Sequence, residues 1–250
     1  MSSYFEKFPN TFYNFGNEET PTVFQNIQKY SELIDTYRDQ IGTYISYEIR
    51  DGDRPDTVSQ MLYGRPDYDW TFYIMNERLR ESGWPLTISQ VYERAVNDYF
   101  PNYTARLNIT TADSASEYSD IYPVGQSVLV SGVEGVVISK NLDIGEITLS
   151  SSTSMIGGVN LSYSALEQDA TKPLTVNAPV SMVYQYEGYH HYIDASTEEY
   201  TDRFFDASVK VPVTNLEHLI NENQNSKSIR VIKKDLIRDV VGKYKKIISS

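Results

Sequence analysis

Between Tyr47 and Asn76 the chain reads YEIRDGDRPDTVSQMLYGRPDYDWTFYIMN, and its apolar positions change period along the way. Tyr44, Ile45, Tyr47 and Ile49 have strand chemistry. Val58, Met61 and Leu62 then fall at i, i+3, i+4, the spacing of one helical face. Asp53 is the expected N-cap, with Pro55 in the first turn and Asp56 three residues on in a capping-box arrangement, and Gly64 is the expected stop. Asp67 is expected to cap a second helix, in which Trp70, Tyr73 and Ile74 repeat the spacing. Trp84-Pro85-Leu86-Thr87 reads as a short returning strand. A third helix is predicted from about Ile88 to Phe100, presenting Val91, Tyr92, Ala95, Val96 and Tyr99.

Upstream, Val23, Ile27, Tyr30, Ile34, Tyr37 and Ile41 recur at alternating spacings of four and three, which predicts one helical stripe running from Pro21-Thr22 to Gly42. It is preceded by an aromatic arm: Tyr4, Phe5, Phe8, Phe12, Tyr13 and Phe15, broken by Pro9 and Gly16. An apolar arm of this kind is expected to dock, on its own chain or on a neighbour.

Downstream the period shortens to two. Val128 with Val130, Val136 with Ile138 and Ile147 with Leu149 alternate between Gly-rich breaks, the pattern of short antiparallel strands. Residues 153–163 are Ser/Gly-rich and read as a loop, and 173–186 offer one or two more strands. Residues 104–185 are therefore read as an inserted all-β barrel or sandwich. The rest is a C-terminal element: Thr214 or Asn215 as a helix cap, a short strand at Ser228 to Ile232, and a last helix. That helix carries Leu236, Ile237, Val240, Val241, Tyr244, Ile247 and Ile248 on one face, with Lys233, Lys234, Lys243, Lys245 and Lys246 around it. Back-packing of this stripe is favoured over its presentation to a partner. The expected fold class is α+β.

Composition narrows the function. The net charge of −12 is uneven: −7 over residues 1–104, −10 over 105–206 and +5 over 207–250. Duplex binding needs many phosphate-neutralising cations, so the first two segments argue against nucleic acid. The basic end reads as a solvated helix face or a contact for an acidic partner. The 21 tyrosines bury a ring and keep a polar tip wet, which suits partner-facing surface as well as strand and helix edges. No cysteine is present, which excludes disulfides, thiolate nucleophiles and Cys-ligated metals. The N-terminus MSSYFEKFPN has no secretory pattern, and no apolar run approaches a membrane span.

Catalytic chemistry finds no anchor. No serine sits in a Gly-x-Ser-x-Gly elbow, and no phosphate-cradling or Rossmann glycine motif occurs. Glycosidase-like carboxylate pairs are not distinguished among 34 acids. His190 and His191 are adjacent on a predicted strand, where side chains alternate between faces, and His218 has no evident companion. Neither a metal nor a cofactor is expected.

The order of strand, Asp51-Gly52-Asp53-Arg54-Pro55 turn, helix, Tyr63-Gly64 stop and apolar helix closing on Asn76 resembles a LysM module. The wording "DGDRPD…LYG…W…N…WPL", the arm FEKFPNTFYNF, and the C-terminal Val213-Thr214-Asn215-Leu216-Glu217 followed by Ile229-Arg230-Val231-Ile232 resemble one branch: the LysM-containing baseplate wedge subunits of T-even-like contractile-tailed phages. The resemblance covers roughly residues 4–100 and 186–250, and residues 104–185 depart from it; the chain is read as four segments, arm and helix (1–43), LysM-like unit with its following helix (44–103), inserted β-domain (104–185) and C-terminal interaction element (186–250). It implies a non-enzymatic structural subunit, made in the bacterial host cytoplasm and resident in the virion tail, that clamps neighbouring wedge proteins. The expected contact residues are Phe5, Phe8, Pro9, Phe12, Tyr13, Phe15, Gly52, Asp53, Arg54, Pro55, Asn76, Arg78, Asn215, Glu217 and Arg230. The competing expectation is a peptidoglycan- or glycan-binding module. Its groove would lie between Gly52–Pro55 and Asn76–Leu79, but charged side chains crowd those loops and suit ion pairing with protein carboxylates better. A single copy also lacks the avidity of repeats.

Overall fold

The computed structural model describes residues 10–13, 22–25, 42–108, 118, 121–166, 173–201 and 209–249. The fold is α+β and divides into two compact units, residues 1–87 with 223–250, and residues 88–222. In chain order the elements are β1 (Asn10–Tyr13), β2 (Thr22–Gln25), β3 (Tyr44–Glu48), α1 (Pro55–Tyr63), α2 (Trp70–Met75), α3 (Glu77–Ser82), α4 (Ile88–Tyr99) and β4 (Asn102–Leu107). Strands β5 (Ser127–Val130), β6 (Val133–Asn141), β7 (Glu146–Ser150), β8 (Asn160–Leu166) and β9 (Pro173–Tyr184) follow. After them come β10 (Tyr189–Asp194), β11 (Tyr200–Thr201), β12 (Lys210–Thr214), α5 (Asn215–Asn225), β13 (Ser228–Ile232) and α6 (Ile237–Ser249). Among the described residues no helix is long and apolar enough to cross a membrane.

In the first unit, the sheet partner of β3 is β13, antiparallel, with Tyr47 opposite Ile229 and Ile45 opposite Val231. The expected returning strand at Trp84–Thr87 does not form. That segment is held as coil instead: Asn223 accepts from the Leu86 amide (2.7 Å) and donates to its carbonyl (2.9 Å), and the Trp84 indole donates to the Asp53 carbonyl (2.7 Å). One core joins residues 44–84 to the C-terminal segment. Ile49, Val58, Tyr63, Phe72, Met75 and Leu79 pack with Ile229, Val231, Ile232, Ile237 and Val241. The stripe of α6 thus packs back as expected, with Trp70 stacked on Tyr244 at 4.5 Å; Ile247 and Ile248 lie beyond the described side chains.

Two predicted caps are corrected. Asp53 does not cap α1. The N-cap is Arg54, and the Asp53 carboxylate instead accepts from the Arg50 amide (3.1 Å) and the Tyr47 hydroxyl (3.3 Å), so no capping box forms with Asp56. Asp67 pairs with Arg65 at 3.0 Å, and Asp69 accepts from the Trp70 amide at the start of α2. In each case a nearer donor claims the acid. Gly64 ends α1 as expected, at φ +73, a conformation that favours glycine.

The predicted helix over 23–41 is corrected at its start. Thr22–Gln25 is a strand paired antiparallel with Asn10–Tyr13, Val23 opposite Phe12. These short β-branched and aromatic runs match each other locally, which outweighs the 3.6-residue period. Residues 26–41 lie outside the described residues, as do Tyr4, Phe5, Phe8, Pro9, Phe15 and Gly16 of the arm.

The second unit opens with α4 and then a closed barrel in the order β4-β7-β6-β5-β8-β9. Its interior holds Tyr103, Tyr122, Val128, Val130, Val137, Ile147, Leu149 and Met155, among others. The alternation at Val136 and Ile138 runs in the opposite phase to the other strands: both are exposed, and Val137 and the buried Gly135 face inward. A Cβ at Gly135 would lie 2.3 Å from the Met155 methyl, so the glycine makes room for that side chain. The expected loop at 153–163 ends early, because β8 begins at Asn160. A three-stranded sheet, β11-β10-β12, completes the unit.

The barrel carries a pH prediction. Tyr122 is fully buried and donates to the Leu161 carbonyl (3.2 Å), and burial pushes its phenol up to about 12. A folded-state pKa above the unfolded value of about 10 favours the protonated fold. That stability is complete below about pH 10 and is lost as pH rises toward 12. Alkaline titration of barrel unfolding should show this loss, and Tyr122→Phe should flatten it.

Candidate partner-binding site

The expected contact residues that the structure describes fall into four places. Phe12 and Tyr13 stand on the β1–β2 hairpin, 68% and 59% exposed, and Val23 beside them on β2 is also exposed. On a short two-stranded ribbon such large apolar side chains have little of their own chain to cover them.

The turn before α1 is the second place. Gly52 sits at φ +84 with open space around it. Arg54 and Asp56 form an exposed ion pair at 3.3 Å, and Pro55 occupies the first helical turn. The Asp53 carboxylate, as described, is held inside the turn. Arg54 and Asp56 are presented outward at this turn, beside the exposed Arg50 and Asp51. Such exposed pairs add little stability by themselves and stay free to exchange for another ion pair.

Asn76, Arg78 and Arg230 form the third place, and the fold brings them together from distant parts of the sequence. The Asn76 carboxamide donates to the Phe72 carbonyl (2.8 Å) and the Arg230 carbonyl (2.8 Å), and accepts from the Arg230 amide (2.8 Å). It thus acts as a two-way clip on the backbone of β13. Arg78 donates to the Asn225 carbonyl (3.3 Å), and the Arg230 guanidinium lies 5.0 Å from the Tyr44 ring. These residues line a cleft of about 280 Å3 between Met75–Leu79 and Asn225–Arg230. Gly52–Pro55, the other side of the expected groove, do not line this cleft, whose facing wall comes from β13 and the residues just before it. Asn76→Asp keeps the acceptor but sets a carboxylate against two carbonyls. It should lower the stability of this unit by about 2 kcal/mol, read from thermal unfolding followed by tryptophan fluorescence.

Asn215 and Glu217 lie in the other unit and are used within it. Asn215 donates to the Gln185 carbonyl (2.7 Å). Glu217 accepts from the Thr214 amide (2.8 Å) while its own amide donates to the Thr214 hydroxyl (3.2 Å), so Thr214 and Glu217 form the box that starts α5. The chain also gathers residues that sequence reasoning left apart. The register of β10 slips between Tyr189 and His191, so His190 and His191 do not point to opposite faces. Their Nδ1 atoms meet at 2.8 Å, and His218 of α5 stacks on His190 at 3.8 Å. Burial holds both His190 and His191 below the ordinary histidine value, with the His218 charge adding to the effect. The sequence signal was the bare pair His190-His191; a bulge is not legible from it.

Arg106 and Glu146 anchor β10 on the barrel. Glu146 is almost fully buried, pairs with Arg106 at 3.1 Å and accepts from the Tyr189 amide (2.9 Å). Arg106 also donates to the Glu187 carbonyl and lies over the Tyr189 ring at 4.0 Å.

Comparison with curated proteins gives no match. Residues 4–104 match the family described as base plate wedge protein 53, a span that covers the hairpin, the turn at Gly52 and the Asn76 clip and stops within the first barrel strand. The match spans 101 of the 250 residues and supports kinship of that segment with phage baseplate wedge proteins.

Proposed function

We propose that the chain is a non-enzymatic subunit of the baseplate wedge that clamps neighbouring wedge proteins during assembly of a contractile tail. The match over residues 4–104 carries this reading, because the exposed hairpin and the charged turn both lie inside it. Phe12, Tyr13 and the arm residues Phe5, Phe8, Pro9 and Phe15 act as anchors in partner pockets, where aromatic side chains contribute most. Gly52, Arg54 and Pro55 give a protruding turn whose guanidinium pairs with a partner carboxylate. Asn76, Arg78 and Arg230 act one step back by fixing the backbone that carries the surface. Asn215 and Glu217 shape the start of α5, which offers a contact of its own.

The test is co-expression with candidate wedge proteins, followed by size-exclusion chromatography. The full chain should elute in a complex, and the form lacking residues 1–16 should not. A monomeric full chain, or a complex indifferent to that deletion, overturns the clamp. A pull-down on purified peptidoglycan separates the glycan-binding reading: strong retention that is lost on changing Gly52 would favour it instead.

A further inference from the structure

We propose that His190, His191 and His218 bind one divalent transition-metal ion of the zinc type, with a fourth position open to water. The three ligand nitrogens already lie within 4.8 Å of one another. They come from two elements, β10 and the first turns of α5, and they are all the histidines in 250 residues. Chance packing of a rare residue type does not account readily for all three copies meeting at one partly exposed spot.

The geometry needs small adjustments. A tetrahedral ion with Zn–N bonds of about 2.0–2.1 Å sets its ligand nitrogens about 3.3 Å apart. The Nδ1 pair of His190 and His191 stands at 2.8 Å, the distance at which one proton bridges two imidazoles in an N–H···N hydrogen bond. An ion in the place of that proton spreads the pair by about half an ångström. His190 and His218 are parallel to within 7°, so one of the rings must turn for an ion to lie in both ring planes. The terminal torsion of histidine is broad, so this turn costs little. Neutral imidazoles with no carboxylate or thiolate among the three suit zinc, copper or nickel over calcium or magnesium. The strand register shifts between Tyr189 and His191, where the two histidine Nδ1 atoms meet at 2.8 Å, and strand bulges often re-aim a side chain. Tyr200 lies against His191 at 5.9 Å and walls the site on one side. A bound ion would tie β10 to α5.

The test uses the untagged full-length chain, stripped with chelator and desalted. Co2+ is added while visible absorption is followed, and Zn2+ is then added in competition. One equivalent of Co2+ should give saturable d–d bands that Zn2+ abolishes. His218→Ala and His191→Ala should each weaken binding at least about a hundredfold. Hydrogen exchange of the wild-type chain gives a reading that needs no variant: Zn2+ should slow exchange in residues 189–194 and 215–225. Absence of a saturable one-to-one change, equal affinity in the variants, or exchange indifferent to Zn2+ overturns the site.

Discussion

A chain ending at Asn225 is expected to lose the whole first unit and keep the second. The deletion removes β13 and α6, and with them Ile229, Val231, Ile232, Ile237 and Val241, each no more than 4% exposed. Truncating one such side chain costs about 2–5 kcal/mol, and a domain has only about 5–15 kcal/mol in total. The loss also strips β3 of its sheet partner and removes the Ile232 carbonyl to which the Tyr63 hydroxyl donates at 3.0 Å. Both tryptophans, Trp70 and Trp84, lie in this unit, so fluorescence reports on it alone. Their emission should shift to that of exposed indole, while hydrogen exchange in residues 127–150 stays slow. Native-like emission from the shortened chain would show that residues 44–87 fold without their C-terminal half.

Glu146→Ala is expected to have the next largest effect, in the second unit. The carboxylate accepts from the Arg106 guanidinium and from the Tyr189 amide, and its side chain is almost wholly enclosed. Removing one member of a buried pair strands the other charge, at a cost of about 3–5 kcal/mol. Arg106 keeps its contacts with the Glu187 carbonyl and the Tyr189 ring, so the lower end of that range applies. Denaturant unfolding followed in the barrel should show the loss. Glu146→Gln, which retains an acceptor, should recover part of it. Equal stability of the alanine variant would mean that β10 is held on the barrel by other contacts.

The local signals in the sequence were mostly readable, and the long-range ones were not. A cap at Thr214 or Asn215 announced the start of α5, Gly64 the end of α1, and the stripe through Ile237, Val241 and Tyr244 the buried face of α6. Each of these is set by residues within two turns. Val231 and its neighbours could be read as a strand, but pairing with β3 joins residues nearly the whole chain apart, and no local pattern encodes that choice. The caps at Asp53 and Asp67 failed because other donors, the Arg50 amide and the Arg65 guanidinium, took the carboxylates. Val136-Val137-Ile138 is apolar on both faces, so its inward phase depends on Gly135 and Met155 across the barrel. Of the candidate site, the aromatic hairpin was visible as composition but not as a hairpin. The joining of Asn76 to Arg230 required the tertiary pairing.

The matched segment packs around the C-terminal strand β13. Asn76 and Asp53 spend their side-chain hydrogen bonds inside the unit. The Arg54–Asp56 pair and the aromatic hairpin are left facing outward. The most direct measurement is an electron cryo-microscopy map of assembled baseplates containing this chain. The predicted result places the chain in the wedge, with Phe12 and Tyr13 buried in a pocket of a neighbouring subunit. A map without the chain, or with that hairpin facing solvent while the wedge is complete, would contradict the clamp.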